Sequence, residues 1–225
     1  MGAPRWRVAV AAVLTFGAVA AAASGAYLLL GDTLRAAQYA GAMPGAVEHP
    51  DDMTRLAPEA IVPQRIDIPA AEVNTIVEPA KASERLNSFT GEMALTFPVP
   101  GGPFTTVWWE EGPAPGENGL AVVLGHTRAS AASVFGRLTH LSEGDVVGIS
   151  GVTRGGEAVV ARYLVSTVVT DIPKSDDSAL RSVLDSAPGD ATLALITCGG
   201  EVDHVLSSHS SNAVVFATLE GMYPA

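Results

Sequence analysis

The sequence has a single cysteine and comparatively few basic residues. Cys198 has no partner for a disulfide within the chain, so it is an inert core residue, an intermolecular link or a reactive thiol. Lysine and arginine together number 13 against 24 aspartate and glutamate residues, which gives a formal net charge of −11. Proteins that bind nucleic acid neutralise its phosphates with lysine and arginine. We therefore expect no nucleic-acid partner.

Charged residues are absent from residues 8–30, which are mostly Ala, Val, Leu and Gly. A helix of this length spans about 30 Å or slightly more, which matches the hydrocarbon core of a bilayer. Arg5 and Arg7 precede it, and positive charge favours the cytoplasmic side. We predict a single-pass protein of the cell membrane with a cytoplasmic N-terminus at 1–7, a transmembrane signal anchor at 8–30, an extracellular linker at 31–60 and an extracellular domain at 61–225. The small residues at 22–26 leave a cleaved signal peptide as the alternative.

Short apolar runs separated by glycine and proline predict a mainly β domain. The predicted strands are residues 63–69, 73–77, 105–109, 119–128, 146–150, 157–169, 191–198 and 213–219. One helix is predicted at 178–186 and a helical turn at 130–138. About eight strands with one or two short helices favour a closed eight-stranded β-barrel.

Two of these predicted buried strands each deliver one reactive side chain to a strand end. The run 191–197 is followed by Cys198 and two glycines, and the run 119–125 is followed by His126. A thiol attacks as its thiolate, so a nucleophilic cysteine needs a neighbouring cation or base. His126 is the candidate base, although the sequence gives no distance between the two residues. The alternative is that Cys198 is a small hydrophobic residue at the end of a core strand.

A zinc site formed by Cys198, His126, His204 and His209 is a further possibility. Cysteine and histidine ligands suit zinc, but one cysteine with irregular histidine spacing differs from the paired Cys-x-x-Cys patterns typical of such sites. We predict no metal and no other cofactor.

Several short motifs resemble those of sortases, in the same order along the chain. They are the residues 63–69, Leu124-Gly125-His126, Val134-Phe135-Gly136-Arg137-Leu138, Gly144-Asp145-Val146-Val147, Leu195-Ile196-Thr197-Cys198-Gly199-Gly200 and Asn212-Ala213-Val214-Val215-Phe216-Ala217. The resemblance covers roughly residues 60–222 and is greatest to the class E and class F members.

This resemblance implies a sortase-like barrel and a membrane-anchored cysteine transpeptidase. By analogy, Cys198 attacks the threonine carbonyl of a C-terminal sorting signal of the Leu-Pro-x-Thr-Gly kind and forms a thioacyl-enzyme. His126 then protonates the departing amine and deprotonates the incoming one. The implied partners are a surface protein bearing the signal, a peptidoglycan precursor or pilin amine as acceptor, and the lipid bilayer at residues 8–30.

The chain departs from this family at one position. Sortases usually carry an arginine on the last strand, whereas no lysine or arginine follows Cys198 here and Ser210 takes the corresponding place. The candidates for support of the oxyanion or the substrate are Arg128, Arg137, His209 and Ser210.

Two other functions stay open, and the missing arginine motivates the first of them. One is a catalytically silent sortase-like barrel that binds a peptide or a cell-wall component. Another is an L,D-transpeptidase, but these enzymes carry a Gly-Cys pair, and Thr197 precedes Cys198 here.

Overall fold

The computed structural model describes residues 53–128, 132–203 and 208–225, all within the unit Ala42–Ala225. The strands of this described part are β1 (Ile61–Ile68), β2 (Val73–Ala80), β3 (Ser83–Leu86), β4 (Met93–Thr96), β5 (Thr106–Trp109), β6 (Ala121–Gly125), β7 (Val146–Thr153), β8 (Ala158–Pro173), β9 (Leu193–Asp203) and β10 (Ser208–Pro224). Its α-helix is α1 (Ala179–Asp185), and 3₁₀ turns lie at Pro69–Ala71 and Leu138–His140.

Eight of these strands close into a barrel in the order β1-β2-β5-β6-β9-β10-β8-β7. The pairs β2/β5 and β6/β9 are parallel, and the other neighbours are antiparallel. Closure leaves the barrel no unpaired sheet edge. The prediction of a mainly β, closed eight-stranded barrel with one short helix is confirmed.

Alternating side chains divide the sheet into an inner and an outer face. The barrel interior holds the large buried side chains Tyr163, Phe135, Leu195, Val123 and Ile149, each less than 2% exposed. A second apolar cluster covers part of the outside, where α1 packs its apolar residues against the sheet. The strand residues of this outer cluster are Val122, Ile172, Ala194, Ile196, Val214 and Phe216.

The 178–186 helix prediction is confirmed to within one residue at each end. Leu180, Val183 and Leu184 pack against the outer cluster, as the spacing of three and four residues predicts. The Asp176 carboxylate accepts hydrogen bonds from the backbone nitrogen and hydroxyl of Ser178 just before the helix, at 2.9 and 2.7 Å. These hydrogen bonds hold the pKa of Asp176 below its ordinary value.

The sequence did not predict the β3–β4 hairpin, which forms a separate two-stranded sheet. Its side chains are exposed or half-buried along both strands. Little burial means that no strict apolar alternation is needed, so the usual strand signal is absent.

Several barrel strands continue beyond their predicted ends, and β8 and β9 do so near the candidate site. β8 reaches Pro173, and β9 continues through Gly199 and Gly200 to Asp203. The cause is β10, which lies between them and pairs Asn212 with Ile172 on one side and Cys198 on the other. Cys198 therefore lies within a strand, which corrects the expectation of a strand end.

The predicted anchor at residues 8–30 lies outside the described residues and stays a prediction. None of the helices in the described part of the chain has the length and apolar character required to cross a membrane.

A buried hydrogen bond links the barrel interior to the loop before β6, and this gives a stability prediction. The backbone nitrogen of Gly116 donates to the Tyr163 hydroxyl at 2.8 Å, and burial raises the pKa of that hydroxyl. Tyr163→Phe leaves a buried N–H without its acceptor, which costs about 1–3 kcal/mol of unfolding free energy. Chemical denaturation measures the loss.

Tyr223→Phe is the matched control for this substitution. Tyr223 is also buried, at 4% exposed, but no hydrogen bond of its hydroxyl is found in the described part. It is expected to change the unfolding free energy by less than about 0.5 kcal/mol. Equal effects of the two substitutions would contradict the role given to the Gly116 bond.

Candidate active site

Strand alternation brings three polar side chains to the outer face of the barrel. On β6, β9 and β10 every second residue packs in the outer cluster, up to Leu124, Ile196 and Val214 respectively, while the residues between them fill the core. Continuing this alternation by two residues places His126 and Cys198 on the outer face, and Asn212 precedes Val214 there.

The register of β6 and β9 makes His126 and Cys198 neighbours. These strands are parallel, with Leu124 opposite Ile196, and adjacent strands lie about 4.8 Å apart. Side-chain hydrogen bonds continue the connection beyond that pair. The Thr197 hydroxyl donates to the Gly125 carbonyl at 2.9 Å, and the hydroxyls of Thr127 and Thr197 are 2.7 Å apart. The candidate base and nucleophile therefore lie two residues beyond the last paired residues of β6 and β9.

The His126 ring is oriented by the loop between β4 and β5. Its Nε2 lies 3.0 Å from the backbone carbonyl of Pro100. Because a carbonyl oxygen only accepts, Nε2 carries a proton in this arrangement. Nδ1 is then the ring nitrogen available for proton exchange with a thiol or a substrate. The described residues show no hydrogen bond between this ring and Cys198.

The thiol of Cys198 instead contacts a lysine. Lys174 Nζ donates to Cys198 Sγ at 3.3 Å, and both residues are half-buried. Sequence reasoning did not identify Lys174. This residue follows β8, and the end of β8 was predicted at residue 169 but lies at Pro173. The pairing of β8 with β10 places Lys174 near Cys198, and that pairing is visible only in the structure. A cation at this distance stabilises negative charge on sulfur.

Two glycines let the backbone approach closely around the site. An added Cβ at Gly125 would lie 2.4 Å from the ring of Phe135, and one at Gly200 would lie 2.1 Å from Ser211 Oγ. Gly200 also has a φ of +73°, which side chains other than glycine rarely adopt. It lies where the β9–β10 register shifts between His209 and Ser211.

The predicted supporting residues lie in different places. The Arg137 guanidinium forms an ion pair with Glu72, with both side chains more than half exposed. Arg128 is exposed, and its backbone nitrogen donates to Ser133 Oγ at 3.0 Å. Neither arginine is found in contact with Cys198 in the described part.

The other two predicted supporting residues, His209 and Ser210, are on β10, beside the strand that carries Cys198. His209 Nδ1 lies 3.0 Å from the Gly200 carbonyl. Ser210 accepts a hydrogen bond from the backbone nitrogen of Lys174 through its carbonyl, at 3.1 Å. The position where a family arginine is expected is therefore adjacent to the lysine that contacts the thiol.

His204, one of the zinc ligands considered above, lies outside the described residues. Within residues 53–128, 132–203 and 208–225, no group of three His, Cys, Asp or Glu side chains is arranged to hold a metal ion.

The chain is similar to one protein family and to solved structures of that family. The family model described as Sortase domain matches residues 66–220. Sortase A from Listeria monocytogenes is 20% identical, with a TM-score of 0.49, and the match covers 74% of this chain and 92% of that chain. The SrtA sortase from Actinomyces oris is 16% identical, with a TM-score of 0.48, covering 80% and 91%. No curated protein sequence matches this chain. The range matched by the family model includes His126, Lys174 and Cys198.

The contact between Gly125 and Phe135 predicts how the His126 segment responds to substitution. Phe135 is 1% exposed, and its backbone nitrogen donates to the His126 carbonyl at 2.9 Å. The added methyl group of Gly125→Ala displaces the Phe135 ring and weakens this hydrogen bond. Such overpacking lowers the unfolding free energy by about 1–3 kcal/mol. Denaturant unfolding measures the loss, and the NMR signals of the His126 ring are expected to shift.

Gly189→Ala is the control, because an added Cβ there has no atom within 4 Å. It is expected to leave both the stability and the His126 signals unchanged. A Gly125→Ala variant as stable as Gly189→Ala would refute the role of this contact.

Proposed function

This chain belongs to the sortase family, and from that premise we propose that it is a cysteine transpeptidase that cleaves a C-terminal sorting signal and joins the released carbonyl to an amine. The single observation that carries this proposal is the pairing of β6 with β9. This register, extended by two residues from Leu124 and Ile196, supports the roles of His126 as base and Cys198 as nucleophile.

Cys198 is the nucleophile in this mechanism. Its thiolate attacks the carbonyl carbon of the threonine in a signal of the Leu-Pro-x-Thr-Gly type, and the C=O electron pair moves to oxygen. Collapse of the tetrahedral intermediate breaks the C–N bond and leaves a thioacyl-enzyme. The covalent intermediate divides one difficult acyl transfer into two easier steps.

His126 transfers the protons in both steps. It gives a proton to the departing glycine amine and later takes one from the incoming amine. The hydrogen bond from Nε2 to the Pro100 carbonyl fixes the orientation of the ring, as the third member of a nucleophile–base arrangement does. The incoming amine belongs to a peptidoglycan precursor or to a pilin-like protein.

The location of the enzyme follows from the N-terminal sequence. Residues 8–30 anchor the chain in the cell membrane, residues 31–60 form an extracellular linker, and the barrel acts on the outer side. The support is the uncharged segment of 8–30 preceded by Arg5 and Arg7. By resemblance of its motifs, the barrel belongs with the class E and class F sortases.

The competing function is a catalytically silent barrel that binds a peptide or a cell-wall component. The observation that favours it is the absence of any lysine or arginine after Cys198. Peptide binding without thioester formation would support this alternative.

Mass spectrometry of the full-length protein tests the transpeptidase mechanism. Wild-type protein mixed with Leu-Pro-x-Thr-Gly peptides is expected to gain the mass of a thioester and, with triglycine added, to release a ligated peptide. Cys198→Ala abolishes both products. His126→Gln lowers the cleavage rate about 10²–10⁴-fold, the usual contribution of a general acid–base group.

His140→Gln is the matched control for His126→Gln, because His140 is exposed on the turn at Leu138–His140. It is expected to cleave at the wild-type rate. Unchanged cleavage by Cys198→Ala would rule out the mechanism.

The single cysteine permits a direct test of location. A membrane-impermeant maleimide is expected to label intact cells that produce the full-length chain, because Cys198 is the only thiol. Cells that produce Cys198→Ala report the background. Labelling that occurs only after the cells are lysed would show that the barrel is not outside.

A further inference from the structure

A cation contacts the nucleophile, and it comes from a part of the chain that the family resemblance does not mark. Lys174 Nζ is 3.3 Å from Cys198 Sγ. Lys174 is two residues beyond Ile172, which packs in the outer cluster, so it follows β8 on the same face as Cys198.

Three adjacent strands define this arrangement. β10 lies between β8 and β9, with Asn212 opposite both Ile172 and Cys198. The lysine must therefore reach across β10, which takes a long flexible side chain. It does so beside Ser210, whose carbonyl accepts from the Lys174 backbone nitrogen at 3.1 Å.

The tip of the β3–β4 hairpin holds the backbone of Lys174 from the other side. Asn87 Nδ2 donates to the Lys174 carbonyl at 3.0 Å, and Asn87 Oδ1 accepts from the backbone nitrogen of Phe89 at 2.9 Å. The Phe89 ring centroid lies 5.8 Å from Lys174 Nζ, within the range of a cation–π contact. The ammonium group is thus positioned between an aromatic ring and the sulfur.

The ammonium group is not part of an ion pair found among the described residues. Asp176 accepts hydrogen bonds from Ser178, and Asp177 accepts one from Asn87 Nδ2 at 2.5 Å. The ion pairs of the described residues are Arg137–Glu72 and Arg162–Glu220, and neither includes Lys174. The hydrogen-bond partner found for Lys174 Nζ in the described residues is Cys198 Sγ.

We propose that Lys174 is the catalytic cation of this enzyme and takes the part that an arginine on the last strand takes in other sortases. It stabilises the thiolate of Cys198 before attack. Lys174 then stabilises the negative charge that develops on the substrate carbonyl oxygen in the tetrahedral intermediate, and this second role rests on the proposed function. Lys174 stays protonated throughout, and the proton for the leaving amine comes from His126.

Alkylation of Cys198 tests the first part without any peptide substrate. Iodoacetamide is small and uncharged, so its rate with the full-length protein at neutral pH reports the thiolate. An opposite charge within about 4–6 Å favours the ionised form, so Lys174→Met is expected to slow alkylation about tenfold or more. Lys174→Arg keeps the charge and is expected to retain most of the rate, while Lys174→Glu is expected to be slowest.

Lys81→Met is the matched control, since Lys81 is the other lysine of the chain and is exposed. It is expected to alkylate at the wild-type rate. An order of rates that follows charge at residue 174 does not arise from lost packing alone. Equal rates for Lys174→Met, Lys174→Glu and Lys81→Met would overturn the proposal.

Peptide cleavage tests the second part. Lys174→Met is expected to lower kcat by about 10²–10³, the usual effect of losing one oxyanion donor, with little change in KM and recovery in Lys174→Arg. A wild-type protein that cleaves no peptide while alkylation still follows the charge at residue 174 would refute the proposed function and leave the electrostatic role of Lys174 in place.

The lysine amine is also close enough to the sulfur to compete as an acyl acceptor. Hydroxylamine distinguishes the two roles, because it removes a thioester on Cys198 but leaves an amide on Lys174. An adduct fully removed by hydroxylamine supports a fixed charge. A stable amide on Lys174 would overturn the proposal, since an acylated lysine no longer carries charge.

Discussion

The parallel pairing of β6 with β9 is the constraint on which the candidate site depends. Leu124 lies opposite Ile196, and both pack in the outer apolar cluster. A slip of one residue would turn every side chain of one strand to the opposite face, so burial of the two apolar faces fixes the register. The same register sets His126 beside Cys198. Packing of the outer cluster therefore positions His126 and Cys198, while the described part of the chain shows no hydrogen bond between the ring and the thiol.

Charge at the site comes from a third element. The chain is strongly acidic overall, with a net charge of −11, and the strand after Cys198 carries no cation. β10 is the single strand between β8 and β9. Lys174, which follows β8, therefore lies close enough for its Nζ to be 3.3 Å from Cys198 Sγ. Closure of the barrel thus brings a residue that follows β8 next to a thiol on β9. Position in space, rather than position in a motif, determines which cation contacts Cys198.

Periodicity and turn residues suffice to predict the barrel, whereas the roles expected of His126 and Cys198 come from the resemblance of motifs, and nothing in the sequence pattern predicts the contact of Lys174. Strands such as β1 and β6 are buried on alternating or both faces, so their apolar patterns are visible in the sequence. The β3–β4 hairpin and the end of β8 are mostly exposed, and exposure removes the pattern that would reveal them. Lys174 follows one of these unpatterned segments. Its contact with Cys198 depends on the register across three strands, and no local signal encodes that register.

The two halves of the site are held by different kinds of contact. His126 and Cys198 are tied to the barrel by the hydroxyls of Thr127 and Thr197 and by the hydrogen bond from the Phe135 backbone nitrogen to the His126 carbonyl. The backbone of Lys174 is held on one side by β10 and on the other by Asn87 at the tip of an exposed hairpin. The bond from Asn87 is only partly buried, whereas the bond from Thr197 is buried, and less buried hydrogen bonds open at lower free energy. A displacement of the hairpin tip would therefore move the cation while leaving the nucleophile and the base in place, so the site's charge is more easily altered than its geometry.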